Sequence, residues 1–359
     1  MHKPTIWLFS AYRSDSHAAW ADWLVNSQVQ VSWRRLELPG RHFRWRIRGN
    51  PLSWLDELPE QAPDRILATS MVDLATLKGL RSGLAHAPAD YYFHENQFAY
   101  PVSDRQVGSI EPQMVQIYGA LAADRLVFNS AFNRDSFLRG VDALLHRMPD
   151  AAPKNLGERL GRKSLVCPVP VEPMAPAARK DERLILWNHR WEYDKAPDMF
   201  VSALLQLAEE GVEFRLALLG PRPRRTPVSL QRLREVLADR IVVDGRVDRE
   251  QYRCWLGRAG IAVSTALHEF QGLAMLEAAG AGVRPLVPDG LCYPEQYPAA
   301  YRYPPHNVSA LADRLRHWLN DGLPPPVDVS AWYACRLHAD WHALLTVPQL
   351  RPSAGSGRS

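Results

Sequence analysis

Short hydrophobic runs recur along the chain, and longer segments with helical spacing of apolar residues separate them. The runs are continuous rather than alternating with polar residues, which is typical of strands buried on both faces of a parallel sheet. They predict strands at residues 6–10, 65–69, 91–94, 125–129, 184–188, 214–219, 240–243, 261–264 and 284–287. The pattern therefore indicates an α/β fold with doubly wound parallel sheets.

The two series of strands are separated by a proline-rich segment. Residues 167–176 hold four prolines, and so proline-rich a segment cannot form a helix interior or a central strand. A length of 359 residues also exceeds the roughly 250–300 residues over which one hydrophobic core keeps growing. We therefore predict two domains that face each other across a cleft, with a boundary near residue 170.

A second proline-rich break divides the end of the chain. The predicted units are a first domain at 1–170, a second domain at 171–322, a C-terminal helix within 323–348 and a tail at 349–359. We expect the helix to pack back on the first domain. The tail is small and polar, and we expect it to be disordered.

Composition narrows the class of protein without indicating a ligand. Apolar residues make up 46% and charged residues 23% of the chain, which is ordinary for a globular protein and excludes a collagen-like, coiled-coil or largely disordered chain. No apolar run approaches the roughly 18 residues that span a bilayer. The four cysteines stand singly, without the spacing of a metal site. We expect a reduced, cytoplasmic protein that does not enter a membrane.

Positive charge is concentrated near the start of the chain, although the net charge of the whole is only +4. Residues 1–50 hold eight Lys or Arg against three Asp or Glu, a net of +5. Within Pro39-Gly-Arg-His-Phe-Arg-Trp-Arg-Ile-Arg-Gly49, the cations Arg41, Arg44, Arg46 and Arg48 are interleaved with apolar side chains that include Trp45. In an extended conformation this segment would have one cationic and one aromatic or apolar face, which suits single-stranded RNA. A charge-protected edge strand is the alternative, and a second basic run, at 220–225, fits a solvated loop.

The sharpest local motif is His268-Glu-Phe-Gln-Gly-Leu-Ala-Met-Leu-Glu277. It follows a predicted buried strand and opens a helix predicted at 273–281. Gly272 permits close backbone approach, and the free N–H groups of a first helical turn attract anions. Glu269 is then placed to bind sugar hydroxyls and Glu277 a nucleotide ribose, with a diphosphate between them. The alternative is an acidic residue stabilised by the helix dipole and a solvated glutamate.

Two cations follow the first predicted strand of the second domain, in Trp187-Asn-His-Arg-Trp-Glu-Tyr-Asp-Lys-Ala-Pro197. Arg190 offers a planar fork and Lys195 a mobile point charge, a combination that suits a departing phosphate. The alternative is ion pairing of Arg190 with Glu192 and of Lys195 with Asp194, which stabilises little when exposed.

A polar triplet ends a strand of the first domain, in Tyr91-Tyr-Phe-His-Glu-Asn-Gln-Phe-Ala-Tyr-Pro101. His94, Glu95 and Asn96 are expected to face the cleft and to orient an acceptor hydroxyl, with a structural histidine as the alternative. Further along this domain, Ser130 has the position of an N-cap.

Several other motifs are missing. Neither GxGxxG nor GxxxxGK[ST] occurs in the sequence. His338 and His342 have metal-like spacing but lack the glutamate of that motif, so we assign them to packing on the terminal helix. No metal is expected.

These segments together resemble the tRNA-queuosine α-mannosyltransferase family, glycosyltransferases of the two-Rossmann-domain GT-B architecture related to the retaining family 4 enzymes. The matching motifs are His94-Glu-Asn-Gln with Tyr100-Pro101, Phe128-Asn-Ser130 with Asn133, Trp187-Asn-His-Arg-Trp-Glu-Tyr-Asp-Lys195, His268-Glu-Phe-Gln-Gly272 with Tyr293-Pro-Glu295, and Trp45-Arg-Ile-Arg48. The resemblance runs from about residue 4 to about residue 320. The chain departs from the family at Ser14-Asp15, before Ser16-His17, where the family often carries Gly-Gly.

The resemblance implies a reaction and a set of roles. It implies retaining transfer of a sugar, mannose from GDP-mannose, to queuosine in tRNA without a cofactor or metal. The implied catalytic residues are His94, Arg190, Lys195 and Glu269. The implied donor contacts are Arg190, Lys195, Glu269, Phe270, Gln271, Gly272, Leu273 and Glu277. The implied acceptor and RNA contacts are Ser16, His17, Arg41, Arg44, Trp45, Arg46, Arg48, His94, Glu95 and Asn96.

Two other functions remain open from the residues alone. The first is a transferase with the same donor site that uses another nucleotide sugar and a lipid or polysaccharide acceptor. It would differ only in the residues on the acceptor side of the cleft. A nonenzymatic RNA-binding protein on a degenerate transferase fold needs only the basic segment.

Overall fold

The computed structural model describes residues 3–58, 61–100, 109–175, 179–220 and 226–347. The predicted disordered tail at 349–359 and the basic run at 221–225 lie outside these ranges. Within them, the chain forms two parallel sheets of six strands each, flanked by helices. This is the two-domain α/β architecture that the hydrophobic pattern predicts.

The first sheet has the strand order β2-β1-β3-β4-β5-β6 and the second the order β12-β11-β10-β7-β8-β9. The strands of the first sheet are β1 Thr5–Arg13, β2 Ser32–Pro39, β3 Arg65–Thr69, β4 Ala89–Phe93, β5 Arg125–Phe128 and β6 Ser164–Val166. Those of the second are β7 Asp181–Trp187, β8 Arg215–Leu218, β9 Ile241–Asp244, β10 Ala259–Val263, β11 Arg284–Pro288 and β12 Arg302–Tyr303. All the assigned strand pairs are parallel. The carboxyl ends of each sheet therefore meet at one edge, where ligands of such folds bind.

Helices connect the strands of both sheets. In the first half they are α1 Asp15–Ser27, α2 Phe43–Ser53, α3 Leu74–Leu80, α4 Ser82–Ala85, α5 Glu111–Ala122, α6 Ala131–Leu145 and α7 Leu156–Gly161. In the second half they are α8 Pro197–Glu209, α9 Val228–Val236, α10 Arg249–Arg258, α11 Leu273–Gly280, α12 Val308–Asp321 and α13 Ala334–Thr346. Ser130 caps α6 as predicted, since its Oγ accepts from the N–H of Asn133 at 3.0 Å.

The nine predicted strands are confirmed, with ends displaced by a few residues. Three others, β2, β6 and β12, were not predicted. All three are edge strands, β2 and β6 of the first sheet and β12 of the second, so they lack the continuous burial of a central strand. In β2 only Leu36 and Leu38 are buried. Edge strands carry charge and short apolar runs, which weakens their signal in the sequence.

Central strands supply the cores of both sheets. Every residue of β3, β4 and β10 is buried, which explains the uninterrupted apolar runs in the sequence. Each sheet has helices on both faces, because the crossovers between parallel strands place them there.

The linker and the terminal helix connect the two halves. The N–H of Cys167 bonds the carbonyl of Phe128 in the first sheet, and Val171 pairs with the backbone at Trp332 and Ala334. Trp341 on α13 is fully buried against aromatic side chains of the first domain. His338 and His342 of the same helix bond the carbonyl of Ser27 and the side chain of Gln28, so their role is packing, as the sequence predicts.

Membrane insertion is a separate question from the fold. Among the helices of the described ranges, none is both long and apolar enough to cross a bilayer.

Candidate active site

A sharp turn after β10 forms one wall of the site. We call residues 264–272 the Glu269 loop. It ends at Gly272, whose φ of +66° places it in the left-handed region at the N-cap of α11. A Cβ at this position would lie 2.9 Å from the ring of Tyr293. Glycine is therefore required both by the backbone conformation and by the space.

Lys195 lies at the centre of the site and is 8% exposed. Its Nζ donates to the carbonyl of His268 at 2.9 Å and to a carboxylate oxygen of Glu269 at 3.0 Å. Although burial alone would raise the pKa of Glu269, the ammonium of Lys195 lowers it to about 2. Both groups are therefore charged at neutral pH, and each holds the other in a fixed position.

Arg190 extends beside this pair and remains half exposed. Its guanidinium contacts Glu192 at 2.9 Å and Asp194 at 3.4 Å. Asp194 also lies 3.5 Å from Lys195. The alternative ion pairs, Arg190 with Glu192 and Lys195 with Asp194, are thus formed. Lys195 in addition pairs with Glu269. Two cations converge on the loop that precedes α11, which is where an anion is best stabilised.

Glu277 lies just over one turn into α11 and makes a separate contact. Its carboxylate accepts from the hydroxyl of Tyr252 at 3.0 Å, and the same hydroxyl accepts from Asn188 at 3.1 Å. Burial raises the pKa of Glu277. Nothing in the sequence motifs indicated Tyr252 or Asn188 as its neighbours, because they come from α10 and the end of β7.

The residues between the two glutamates point in different directions. Phe270 packs edge-on against His268, with ring centroids 4.5 Å apart. Gln271 is 2% exposed, and its side chain bonds the backbone of Val169 in the linker. Leu273 packs against the cores of both halves. Their side chains are therefore used for packing, and the backbone of this turn is the part available to a ligand.

The opposite wall of the cleft begins with two stacked histidines. The rings of His17 and His94 lie 4.0 Å apart and are inclined by 20°. Burial lowers the pKa of His17 to about 4, and burial together with His17 lowers the pKa of His94 well below its usual range. Both rings are neutral at physiological pH. The Nε2 atom of His94 is buried and has no hydrogen-bond partner among the described residues, and the ring packs against Trp20 and Tyr92.

Glu95 follows His94 and faces the second domain. Burial raises the pKa of its carboxyl to about 7, and the nearby guanidinium of Arg190 opposes the shift. The Glu95 carboxylate in turn raises the pKa of Tyr100. The cleft thus holds a carboxyl group that titrates near neutral pH, a property common in catalytic and binding sites.

Asn96, the third member of the triplet, is fully buried. Its amide nitrogen donates to the carbonyl and the side-chain oxygen of Asn133 and to Ser136, and its oxygen accepts from the backbone of Phe98. Asn96 therefore holds the loop after β4 in place, and its side chain does not reach the cleft.

Ring contacts and a helix cap join the walls of the cleft among the described residues. Tyr100 and His268 have ring centroids 4.1 Å apart, and Phe132 and Phe270 have centroids 6.1 Å apart. Glu295 accepts from the N–H groups of Ala131 and Phe132 at 2.9 and 2.6 Å, so a carboxylate of the second domain caps α6 of the first. The sequence motif Tyr293-Pro-Glu295 marked this region, but only the fold shows which helix it caps.

The basic segment near the start of the chain is a helix. The interpretation of residues 41–48 as an extended strand is wrong, since Phe43–Ser53 form α2. Their arginines therefore point around the helix instead of lying on one face. The buried residues of this helix are Ile47, Gly49, Asn50 and Pro51.

The arginines of this helix have different surroundings. Arg48 is paired with Asp73 at 2.6 Å and with Glu111 at 3.3 Å, and Arg46 lies partly buried against Ser53. Arg41, Arg44 and Trp45 are exposed, and no ion pair of the two arginines is found among the described residues. Ser16 is exposed on α1. The surface available to a partner is thus narrower than the sequence suggested.

A metal site usually needs at least three His, Cys, Asp or Glu side chains close together. In the part of the chain that the structure describes, no three His, Cys, Asp or Glu side chains are grouped to hold an ion.

Comparisons with known proteins agree with this geometry. Residues 5–171 match the model of the tRNA-queuosine alpha-mannosyltransferase N-terminal family, and residues 182–321 match that of glycosyl transferases group 1. A tRNA-queuosine alpha-mannosyltransferase of Drosophila melanogaster is 35% identical over 327 residues, which are 87% of this chain and 86% of the relative.

Solved structures support the fold alone. A lipopolysaccharide outer core galactosyltransferase superposes with a TM-score of 0.67 at 11% identity, covering 95% of this chain and 98% of that one. Sucrose-phosphate synthase from Thermosynechococcus elongatus gives 0.65 at 15% identity, covering 95% and 93%. The fold is thus that of two-domain GT-B glycosyltransferases. Since the full-length match is far above this level, the chain belongs to the tRNA-queuosine alpha-mannosyltransferase family of glycosyltransferases.

Proposed function

We propose that this chain transfers mannose from GDP-mannose to queuosine in a tRNA, with retention of the anomeric configuration and without a metal. The observation that carries the proposal is the Lys195–Glu269 pair, 3.0 Å apart and next to Arg190 at the start of α11. It supplies paired charges where a sugar diphosphate needs them. The family membership of the full chain supplies the acceptor class.

In the proposed donor complex, the diphosphate lies against the N–H groups at Gly272 and Leu273, with Arg190 and Lys195 beside it. The two cations stabilise the negative charge that develops as the diphosphate departs. Glu269 stays ionised because Lys195 holds its pKa at about 2, so it accepts hydrogen bonds from hydroxyls of the transferred sugar. Glu277 binds the ribose with its remaining lone pairs.

On the acceptor side, the neutral ring of His94 and the carboxyl of Glu95 contact the hydroxyl that attacks the sugar. Glu95 accepts the hydrogen bond of this hydroxyl when it is ionised. The stacked pair of His17 and His94 provides a flat surface at the end of the cleft for the modified base. Arg41 and Arg44 with Trp45 bind the phosphates and an unstacked base of the anticodon loop.

The direct test is incorporation of a hexose. Purified protein is incubated with queuosine-containing tRNA and GDP-mannose, UDP-glucose or UDP-galactose, and the nucleosides are analysed by mass spectrometry. We expect a hexose on queuosine with GDP-mannose only, and loss of more than about 100-fold of the rate in Glu269→Gln. Transfer from another donor would change the proposed sugar, and no transfer from any donor would refute the proposal.

The acceptor is tested separately. Arg44→Ala is expected to weaken tRNA binding about 3- to 10-fold and to reduce its salt dependence, with GDP binding unchanged. Arg162→Ala is the matched control, because this exposed arginine follows the last residue of α7 and pairs with Glu158. Equal effects of the two variants on tRNA binding would place the RNA elsewhere on the surface. Sugar transfer to a lipid or polysaccharide that is the same in Arg44→Ala and in the wild type would identify another acceptor. Because its acceptor is a tRNA, we place the protein in the cytoplasm.

A further inference from the structure

Gln271 lies inside the Glu269 loop, yet its side chain turns away from the cleft. Its Nε2 donates to the carbonyl of Val169 at 2.7 Å, and its Oε1 accepts from the N–H of Val169 at 2.9 Å. Gln271 is 2% exposed and Val169 4% exposed. A primary amide thus pairs with one extended residue through both of its polar atoms, as neighbouring strand residues do.

The partner belongs to the linker between the two domains. Prolines 168 and 170 flank Val169 and have no N–H group to offer. The other non-proline residues nearby are bonded elsewhere: Cys167 to Phe128 of the first sheet, and Val171 to Trp332 and Ala334. Val169 is therefore the point at which the linker is attached to the Glu269 loop.

The backbone of Gln271 is held on its other side. Its carbonyl accepts from Nε2 of Gln296 at 2.6 Å. The next residue, Gly272, has the left-handed conformation that opens α11, and Glu269 two residues earlier contacts Lys195. Any displacement of Gln271 therefore moves both the carboxylate and the first N–H groups of the helix.

We propose that Gln271 is a positioning residue that couples the interdomain linker to the Glu269 loop. The linker changes shape when the domains move relative to each other, and the double hydrogen bond transmits that change to the loop. This inference rests on the proposed function, in which the loop binds the donor. Removing the amide leaves the N–H and carbonyl of Val169 buried without partners.

The variant that tests the coupling is Gln271→Met, which keeps the length of the side chain and removes both hydrogen bonds. Gln28→Met is the matched control. Gln28 is fully buried, donates to the carbonyl of His338 and contacts His342, so it also tethers two segments, but far along the chain from the Glu269 loop. Both variants are expected to lower the melting temperature by similar amounts.

Hydrogen exchange distinguishes coupling from a merely structural role. Between Cys167 and Val171 only three residues carry an amide hydrogen, so Val169 contributes one of the three exchanging positions in a peptide covering this segment. In the wild type we expect GDP to slow exchange of this peptide. In Gln271→Met exchange is expected to be about 10-fold faster and no longer to respond to GDP. In Gln28→Met the response to GDP is retained.

Kinetics give the second measurement. We expect Gln271→Met to lose about 10-fold or more in kcat/KM for the nucleotide sugar, with the KM for tRNA unchanged, while Gln28→Met keeps both values. If the Val169 peptide is equally protected in Gln271→Met, or ignores GDP in a wild type that binds GDP, the coupling is refuted and the proposed function stands. If the wild type transfers no sugar and GDP protects no segment, the proposed function fails and the coupling fails with it.

Discussion

Two carboxyl groups in the cleft are shifted in opposite directions by their neighbours. Glu269 contacts the ammonium of Lys195 and has a pKa of about 2, whereas Glu95 is buried facing a more distant guanidinium and has a pKa of about 7. The difference follows from the partner, since a charge in direct contact outweighs the cost of burial and a remote one does not. At the scale of single residues, the site is therefore built to keep one carboxylate permanently charged and the other titratable.

Glu95 gives the first prediction. In the proposed function ionised Glu95 accepts from the attacking hydroxyl, so we expect kcat/KM for tRNA to rise with pH through about 7 and then to level. In Glu95→Gln this limb disappears and the value at pH 8 falls about 10-fold. Glu192→Gln is the control, since Glu192 is exposed and pairs directly with Arg190 at 2.9 Å. An unchanged limb in Glu95→Gln would assign the titration to another group.

Glu95 also predicts a dependence of stability on pH. Its folded pKa of about 7 lies above the usual value of 4.5, so between these values the folded state binds more protons than the unfolded state. Its contribution to the free energy of unfolding is therefore fully present below about pH 4.5 and is lost as the pH rises through about 7. In urea titrations, the free energy of unfolding of Glu95→Gln relative to the wild type should rise by about 1–2 kcal/mol between pH 4.5 and 7. A constant difference would contradict the raised pKa.

The opposite sign applies to Glu269. Its folded pKa of about 2 lies below 4.5, so its stabilising contribution is present above about pH 4.5 and is lost as the pH falls towards 2. Lys195→Met leaves the carboxylate without its cation and should cost about 3 kcal/mol at pH 7. The cost should shrink between about pH 4.5 and 2. Lys180→Met serves as control, because this ammonium donates to three backbone carbonyls; a similar pH trend there would remove the assignment to Glu269.

At the scale of elements, continuous apolar runs were a reliable guide and alternating ones were not. The strands that carry the cleft residues, β4, β7 and β10, were predicted because helices cover both of their faces. Residues 43–48 alternate between apolar and charged side chains, yet Phe43 and Ile47 are four residues apart and both pack inward. In so short a segment a spacing of four residues fits both the strand period of two and the helical period of 3.6. Packing against the first sheet therefore determines that the segment is a helix.

A close approach between two loops gives a prediction at the same scale. A Cβ on Gly220, after β8, would lie 1.6 Å from the carbonyl oxygen of His189, after β7. We expect Gly220→Ala to lose about 3 kcal/mol or more, since backbone must move away from backbone. Gly79→Ala is the control: a Cβ there has nothing within 4 Å, and this helical site should gain about 0.5–1 kcal/mol. Equal stabilities in thermal unfolding would show that the two loops are further apart.

At the scale of the whole molecule, the hydrogen bonds between the two domains are buried on one side of the Glu269 loop and exposed on the other. On one side, the buried amide of Gln271 holds the linker. On the other side, the exposed carboxylate of Glu295 caps α6. Solvent competes with an exposed hydrogen bond more effectively than with a buried one. We therefore expect the Glu295 contact to break before the Gln271 contact in any separation of the domains.

Glu295→Ala tests this arrangement. The loss of the cap should cost about 1 kcal/mol and should increase the radius of gyration measured by small-angle X-ray scattering, because the open arrangement becomes more populated. Glu158→Ala removes an exposed carboxylate that pairs with Arg162, four residues along the same domain, and should leave the radius unchanged. An unaltered radius in Glu295→Ala would mean that the aromatic contacts hold the domains together by themselves.

The sequence by itself determined the two doubly wound sheets, the linker and the motifs that carry the chemistry, because burial on both faces and a cluster of prolines leave a local mark on the order of residues. It did not determine the partners of those motifs. Lys195 and Glu269 are 74 positions apart, Gln271 and Val169 are 102 apart, and Glu295 and Ala131 are 164 apart. Hydrogen bonds and ion pairs depend on distances of a few ångströms between atoms, and only the packing of the two sheets against the linker brings these residues to such distances. The tertiary structure alone therefore decided which charges are paired, which carboxyl titrates near pH 7, and which arginines of the basic segment are exposed without an ion pair among the described residues.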